Sequence, residues 1–311
     1  MPHPPRAMDN ASAPPGRGAL SDWWWRNQRA LTPFILLAPA CLLFAVFVLY
    51  PIAASIRLSL HDWDGVGPQT WVGLANFAEL FGDPVFYTAL ANNLCWLALY
   101  LLAPVFGLGL ALFLNQDVRG IRVVRSLFLF PFVISQVVVG LIFAWFLNAE
   151  FGLLNRLLGS AGLPAVAPLE SGRWAIFAVI LAGLWPQTAY CMILYLTGLT
   201  GIRPELIESA RMDGARGGRL LWHVVLPQLR PVTFIAAMVC VVGALRSFDL
   251  VAIMTAGGPY NSTMVLGYYM YEQTFLSLRY GYGAAIAAVL FALMGAFVGL
   301  FLWRLLRREA A

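Results

Sequence analysis

The stretch TGIRPELIESARMDGARGGRLLWHVVLPQLRP, residues 200–231, is a polar, Arg-bearing connection between two long apolar runs. Pro204, with Glu205 and Glu208 close behind, has the features of a helix start. Proline lacks an N–H that a first turn leaves unused, and acids there favour the positive end of the helix dipole. Leu206, Ile207 and Ala210 recur at helical spacing. Asp213-Gly214 then signals a turn. A second short helix is expected to carry Leu220, Leu221, Val224 and Val225 on one side, with Pro227 bounding it. The expectation is a helix–turn–helix, apolar on one face. Two readings fit it: an amphipathic loop lying on a membrane, or a rigid docking element that passes a partner's push into the adjoining segments.

The rest of the chain makes the membrane unavoidable. Of 311 residues, 60% are apolar and 11% charged, against roughly 25% charged in an ordinary globular domain. Charged side chains this sparse cannot cover a soluble surface. Six runs reach the length of about 20 apolar residues that a span needs: Leu31–Ile56, Ala89–Leu114, Ser126–Leu147, Trp174–Leu199, Val232–Met254 and Tyr282–Trp303. They are continuously apolar and lack the alternation of a barrel strand. The first is too long for a signal-peptide core and is read as retained. Residues 1–22, rich in Pro, Gly, Ala and Ser, are expected to be disordered. Trp23, Trp24 and Trp25 suit the headgroup layer, on a short interfacial helix.

Arginine placement gives the orientation. Fifteen of the 20 basic residues fall in the N-terminal tail, the loops after the second and fourth runs, and the C-terminus; Arg57, Arg156, Arg173 and Arg279 fall on the other side. Arg246 falls inside the fifth run. Positive charge marks the cytoplasmic side, so both termini are expected there. The organisation read from the sequence is a cytoplasmic segment, residues 1–30, followed by a six-span domain, residues 31–311, that includes the loop 200–231.

All 20 basic residues are Arg, so a P-loop, which needs Lys on the nucleotide phosphates, is excluded, as is Schiff-base chemistry. If ATP drives this protein, another polypeptide hydrolyses it. Cys41, Cys95, Cys191 and Cys240 lie in apolar runs without metal-site spacing, and His3, His61 and His223 are scattered. No metal site and no catalytic residue is expected. The net charge of +5 reflects cytoplasmic Arg rather than nucleic acid.

Within the loop, Glu208-Ser209-Ala210, Gly214, Val224 and Leu226-Pro227 stand at the spacing of the EAA motif of binding-protein-dependent ABC importer permeases, which this segment resembles. Ser209 replaces the first Ala and Val224 the usual Ile. The resemblance runs on from about residue 31: Leu49-Tyr50-Pro51, Val72-Gly73-Leu74, Asn76-Phe77, Phe130-Pro131, Phe248-Asp249 and Thr255-Ala256-Gly257-Gly258-Pro259 are similar to the carbohydrate-type permeases. It implies an all-α membrane protein with the type I importer fold: six transmembrane helices and a cytoplasmic EAA helix pair. It also implies a bacterial inner-membrane chain that is itself no enzyme. Its partners would be a second permease, two cytoplasmic ATPases holding ATP and Mg, and an extracytoplasmic binding protein. Coupling to the ATPase would fall to Glu208, Ser209, Ala210, Asp213, Gly214, Leu226 and Pro227, and the binding protein would be met at Gly257, Gly258 and Pro259.

Polar residues inside spans are functional candidates by default: here Asn92, Asn93, Gln136, Gln187, Tyr190, Arg246, Ser247 and Asp249. Each can instead serve interhelical hydrogen bonding, and Arg246 with Asp249 an i,i+3 pair. The resemblance narrows the sugar pathway to Gln136, Gln187, Tyr190 and Ser247. The competing class is a self-contained, ion-coupled carrier, which has only Asp249 as an obvious intramembrane proton carrier. An intramembrane enzyme lacks any catalytic cluster.

Overall fold

The structure, a computed structural model, describes residues 19–116 and 118–309. The expected loose tail lies outside them as far as residue 18. The chain divides after Ala54 into two units. In the first, a helix opens at Ala19 and runs to Phe44, so Trp23, Trp24 and Trp25 belong to it rather than to a separate interfacial helix. It continues through a π-helical turn, Ala45–Leu49, into Tyr50–Leu58. Its stretch Thr32–Leu58, 27 residues, is long and apolar enough to cross a membrane.

In the second unit, three more stretches meet that test: Pro84–Leu114, Ala175–Thr200 and Tyr280–Trp303. Two bent pairs meet it only together. Ile121–Val133 and Gln136–Phe146 cross at 95°, and Gly218–Gln228 and Arg230–Leu245 at 70°. The count among the described residues is therefore four candidate spans, or six if each bent pair is one.

The structure corrects the sequence expectation in four places. The run Ser126–Leu147 is two helices, because Ile134 and Ser135 are extended and the Ser135 hydroxyl caps the second helix at the Val138 N–H. Pro131 sits inside the first of them rather than at the break. The run Val232–Met254 ends as a helix at Leu245, and a six-residue helix, Asp249–Met254, follows a three-residue break. The run expected from Ala89 already starts at Pro84, where the Asp83 side chain accepts the Val85 N–H at 2.8 Å. A small antiparallel ribbon, His61–Asp62 with Thr70–Trp71, departs from the all-α expectation. Asp64 closes its connection by accepting the Val66 and Gly67 N–H groups.

The core lies where Ala175–Thr200 packs on Pro84–Leu114. A Cβ on Gly107 would stand 2.6 Å from Cys191 Cβ and 2.8 Å from the Met192 nitrogen, so glycine there lets two helix backbones nearly touch. Trp96, Tyr195 and Met192 are fully buried around this crossing. Cys191 and Cys240 sit together in it as small apolar fillers, their sulfurs 3.8 Å apart.

Candidate functional site

Three places carry the residues singled out from the sequence. The first is the connection 200–231. Pro204–Met212 forms a helix that ends in a Schellman motif: Ala215 N–H donates to Ala210 O at 2.9 Å, and Gly214 N–H to Arg211 O at 3.0 Å. Gly214 takes φ +84, and a Cβ there would meet nothing within 4 Å, so the demand for glycine is conformational rather than steric. Gly217, at φ +52, makes a second left-handed step that the sequence reading missed. Gly218–Gln228 follows, with a π-helical turn at Leu221–Val225.

The apolar face expected from the periodicity is real. Leu206, Ile207, Ala210, Leu220, Leu221 and Val224 are half-buried and Val225 is buried, whereas Glu205, Glu208, Ser209 and Asp213 are exposed. Two large apolar residues point the other way: Met212 is 89% exposed and Trp222 70%. Both fall off the helical apolar period, and an unpaired Met or Trp on an otherwise polar face was the signal available for them. The segment joins the helical core at Leu229, which is fully buried. A Cβ on Gly198 would stand 2.9 Å from Leu229 Cδ2 and 2.7 Å from Val232 Cγ2. Thr233 donates to Leu229 O at 3.0 Å and accepts from the Tyr195 hydroxyl at 3.1 Å. The bend is thereby tied to the end of Ala175–Thr200.

The second place is a cavity of 460 Å³ at the break after Leu245. Gln136, Gln187 and Ser247 line it together with Arg246, Asp249, Trp96 and Tyr100. Tyr190 is not among the lining residues; its ring stacks on Phe132 with centroids 4.9 Å apart. Trp96 and Tyr100 were missed because an aromatic at helical spacing in an apolar run reads as core. Gln187 Nε2 lies 3.4 Å from Cys240 Sγ.

Asn92 and Asn93 prove structural. Asn93, fully buried, donates to Ala244 O at 3.1 Å and to Ser247 Oγ at 3.4 Å, and accepts the Leu266 N–H at 2.9 Å. It adds a donor to a carbonyl of the last helical turn that otherwise has a long bond from the Ser247 N–H at 3.4 Å. Asn92 donates to Ser262 O and Met264 O at 2.9 and 2.8 Å. Arg246 and Asp249 do not form the i,i+3 pair that was one of two readings for them, because a break separates their helices. The ion pair among the described residues is Arg279 with Glu79, at 2.7 Å.

The third place is the turn 255–264. The Thr255 and Thr263 hydroxyls lie 2.8 Å apart, and Thr263 also donates to Gly258 O at 2.8 Å. Gly257 holds φ +79 against Met264 and Tyr268. The turn presents Tyr260, 99% exposed, at its tip. Nearby, Asp83 accepts from the Tyr269 and Tyr282 hydroxyls.

The sequence model described as "Binding-protein-dependent transport system inner membrane component" matches residues 103–310. A probable ABC transporter permease, YurN of Bacillus subtilis, is 37% identical over 270 residues, 85% of this chain and 92% of that one. The sulfoquinovosyl glycerol transport system permease SmoG of Agrobacterium fabrum is 33% identical, covering 87% of this chain and 89% of its own. The sn-glycerol-3-phosphate permease UgpA of Brucella abortus is 32% identical over 85% of this chain and 91% of its own. In structure, a chain of a bacterial ABC transporter importing the acidic polysaccharide alginate superposes with a TM-score of 0.78 at 24% identity, covering 91% of this chain and 99% of that one. A second crystal structure of an alginate ABC transporter, holding a periplasmic protein bound to an alginate pentasaccharide, matches with a TM-score of 0.75.

Proposed function

Because this chain belongs to the family of binding-protein-dependent transport system inner membrane components, we propose that it is the permease subunit of an ATP-driven importer moving a sugar or sugar-like solute. Relatives named for sulfoquinovosyl glycerol and for sn-glycerol-3-phosphate support that solute class. Each bent pair counts as one span, giving six, with both termini cytoplasmic as the arginine distribution requires. The six-span domain is residues 31–311, preceded by the cytoplasmic segment 1–30.

The observation that carries the reading is the exposed helix–turn–helix Pro204–Gln228, joined to the core through Leu229. In this reading a cytoplasmic ATPase, with its own ATP and Mg, grips the face bearing Glu208, Ser209, Ala210, Asp213, Gly214, Leu226 and Pro227. The Schellman turn makes the element stiff enough to carry a push. The Leu229–Gly198 contact and the Tyr195–Thr233 bond pass it to two spans. The cavity with Gln136, Gln187 and Ser247 is the solute path in this subunit. Tyr190, which stacks on Phe132 outside the cavity lining, is assigned to the solute path by the family resemblance alone. The turn with Gly257, Gly258 and Pro259 meets the binding protein, and a second permease completes the channel. The chain itself binds no cofactor. An ion-coupled carrier finds no support in the family.

The test is a tagged purification from detergent-solubilised membranes. Recovery of a P-loop ATPase and a second EAA-bearing permease, both lost when residues 205–227 are replaced by a Gly/Ser linker, is the expected result. A chain that purifies alone and still moves solute in liposomes would overturn the reading.

A further inference from the structure

The break after Leu245 places two opposite charges in one cavity without pairing them. Helix Arg230–Leu245 has 16 residues. At about 1.5 Å per residue, Arg246 lies roughly 24 Å along it, within the reach of a hydrocarbon layer about 30 Å thick. An arginine at such depth must face water or a counter-charge. Arg246 is exposed and lines the 460 Å³ cavity, and so is and does Asp249. Among the described residues neither has an ion-pair or side-chain hydrogen-bond partner, Glu79 and Arg279 forming the ion pair.

The helix ends explain how the charges stand apart. Arg246 caps the C-terminal end of its helix, where unpaired carbonyls favour a cation. Asp249 opens the next helix, where free N–H groups favour an anion. Neither charge depends on the other, so the guanidinium keeps its forked donors free. A carboxylate, phosphate or sulfonate matches that fork in geometry and charge. Around it, Gln136, Gln187 and Asp249 supply groups for hydroxyls, and Gly243 leaves room: a Cβ there would come within 3.7 Å of both Gln187 Oε1 and the Tyr100 ring.

We infer that Arg246 makes this cavity selective for a sugar or polyol bearing an anionic group, which the guanidinium takes while Gln136, Gln187 and Asp249 meet the hydroxyls. This rests on reading the cavity as the solute path.

The experiment uses the complete transporter, purified with its partner subunits in nanodiscs. Glycerol 3-phosphate and galacturonate are compared with glycerol and galactose by ligand-induced thermal shift, without the binding protein, so its own selectivity does not enter. The anionic probes should act at concentrations at least roughly tenfold lower than their neutral counterparts, the scale of a charge-assisted contact. Arg246→Gln should abolish that difference, Arg246→Lys should keep part of it, and Asp249→Asn, which removes a negative charge from the same cavity, should keep or widen it. Each variant is scored only as an assembled complex of the wild-type size on gel filtration. Equal action of neutral and anionic probes on the wild type, or an Arg246→Gln complex that still distinguishes them, would overturn the inference. Should Arg246→Gln not assemble, the wild-type comparison and Arg246→Lys decide it: a lysine variant that discriminates less than the wild type supports the inference, and one that discriminates equally counts against it. Purification without ATPase subunits would instead strike the reading as an importer permease.

Discussion

Replacing Asn93 by Leu tests whether one buried amide holds the break that forms the cavity. Leucine is close in size, so the packing loss is small and the hydrogen bonds are isolated. Two good bonds vanish, to Ala244 O at 3.1 Å and from Leu266 N at 2.9 Å, along with a long one to Ser247 Oγ at 3.4 Å. Asn93 is fully buried, so the Leu266 N–H is orphaned with no water to turn to, and the Ala244 carbonyl is left with a long bond from the Ser247 N–H at 3.4 Å. Leaving a buried polar group unpaired costs about 1–3 kcal/mol. Bonds between membrane helices net less, about 0.6 kcal/mol on average with a maximum near 1.7. Two bonds therefore give a loss of about 1–4 kcal/mol. For a chain of this size that lowers the unfolding midpoint by roughly 2–16 °C, at about 2–4 °C per kcal/mol. The assay is thermal unfolding of the purified chain in detergent at one fixed scan rate. Asn93→Asp should be worse than Leu, because a carboxylate keeps the Leu266 bond but faces the Ala244 carbonyl. An Asn93→Leu midpoint within a degree of the wild type would refute the claim that this amide fastens the break.

Gly107→Ala should destabilise by about 1–3 kcal/mol in the same assay, since its new methyl meets backbone as well as the Cys191 side chain; an unchanged midpoint would mean the two helices do not cross this closely. Gly214→Val should abolish coupled transport while Gly214→Asn retains part of it, because φ +84 excludes a β-branched residue but open space surrounds the position; normal uptake by the valine variant would show that the turn need not be rigid. At Asp64 the Gly67 and Val66 N–H groups hold the carboxyl below the usual carboxylate range. The turn it closes should hold fully above the ordinary value of about 3.9 and loosen as pH falls through the lowered one; amide shifts of Val66 and Gly67 that do not follow pH there would contradict this.

The class and its most telling element were legible in the amino-acid sequence alone. Continuous apolar runs admit no other solvent than lipid, and charged side chains at 11% of residues are too few to cover a soluble surface. The connection 200–231 was readable because its signals are local: a proline at the first turn, apolar residues three and four apart, and Asp-Gly at the stop. Gly214 at positive φ is where such a stop must place a glycine. Intramembrane polar residues were a different matter. Composition could say that Asn93, Gln187 and Arg246 are costly in lipid, but not which of them spends its polarity on the fold. Asn93 lies 151 residues from the carbonyl it satisfies, and Gln187 lies 53 from Cys240. Such partners are set by which helices pack together and where they break. The breaks fall at short polar clusters, Ser135-Gln136 and Arg246-Ser247-Phe248-Asp249, which inside long apolar runs read as isolated polar residues of one span rather than as helix ends. Hydropathy reports what a segment dissolves in; backbone direction within it depends on partners for the freed carbonyls and N–H groups, and only the packed structure supplies those.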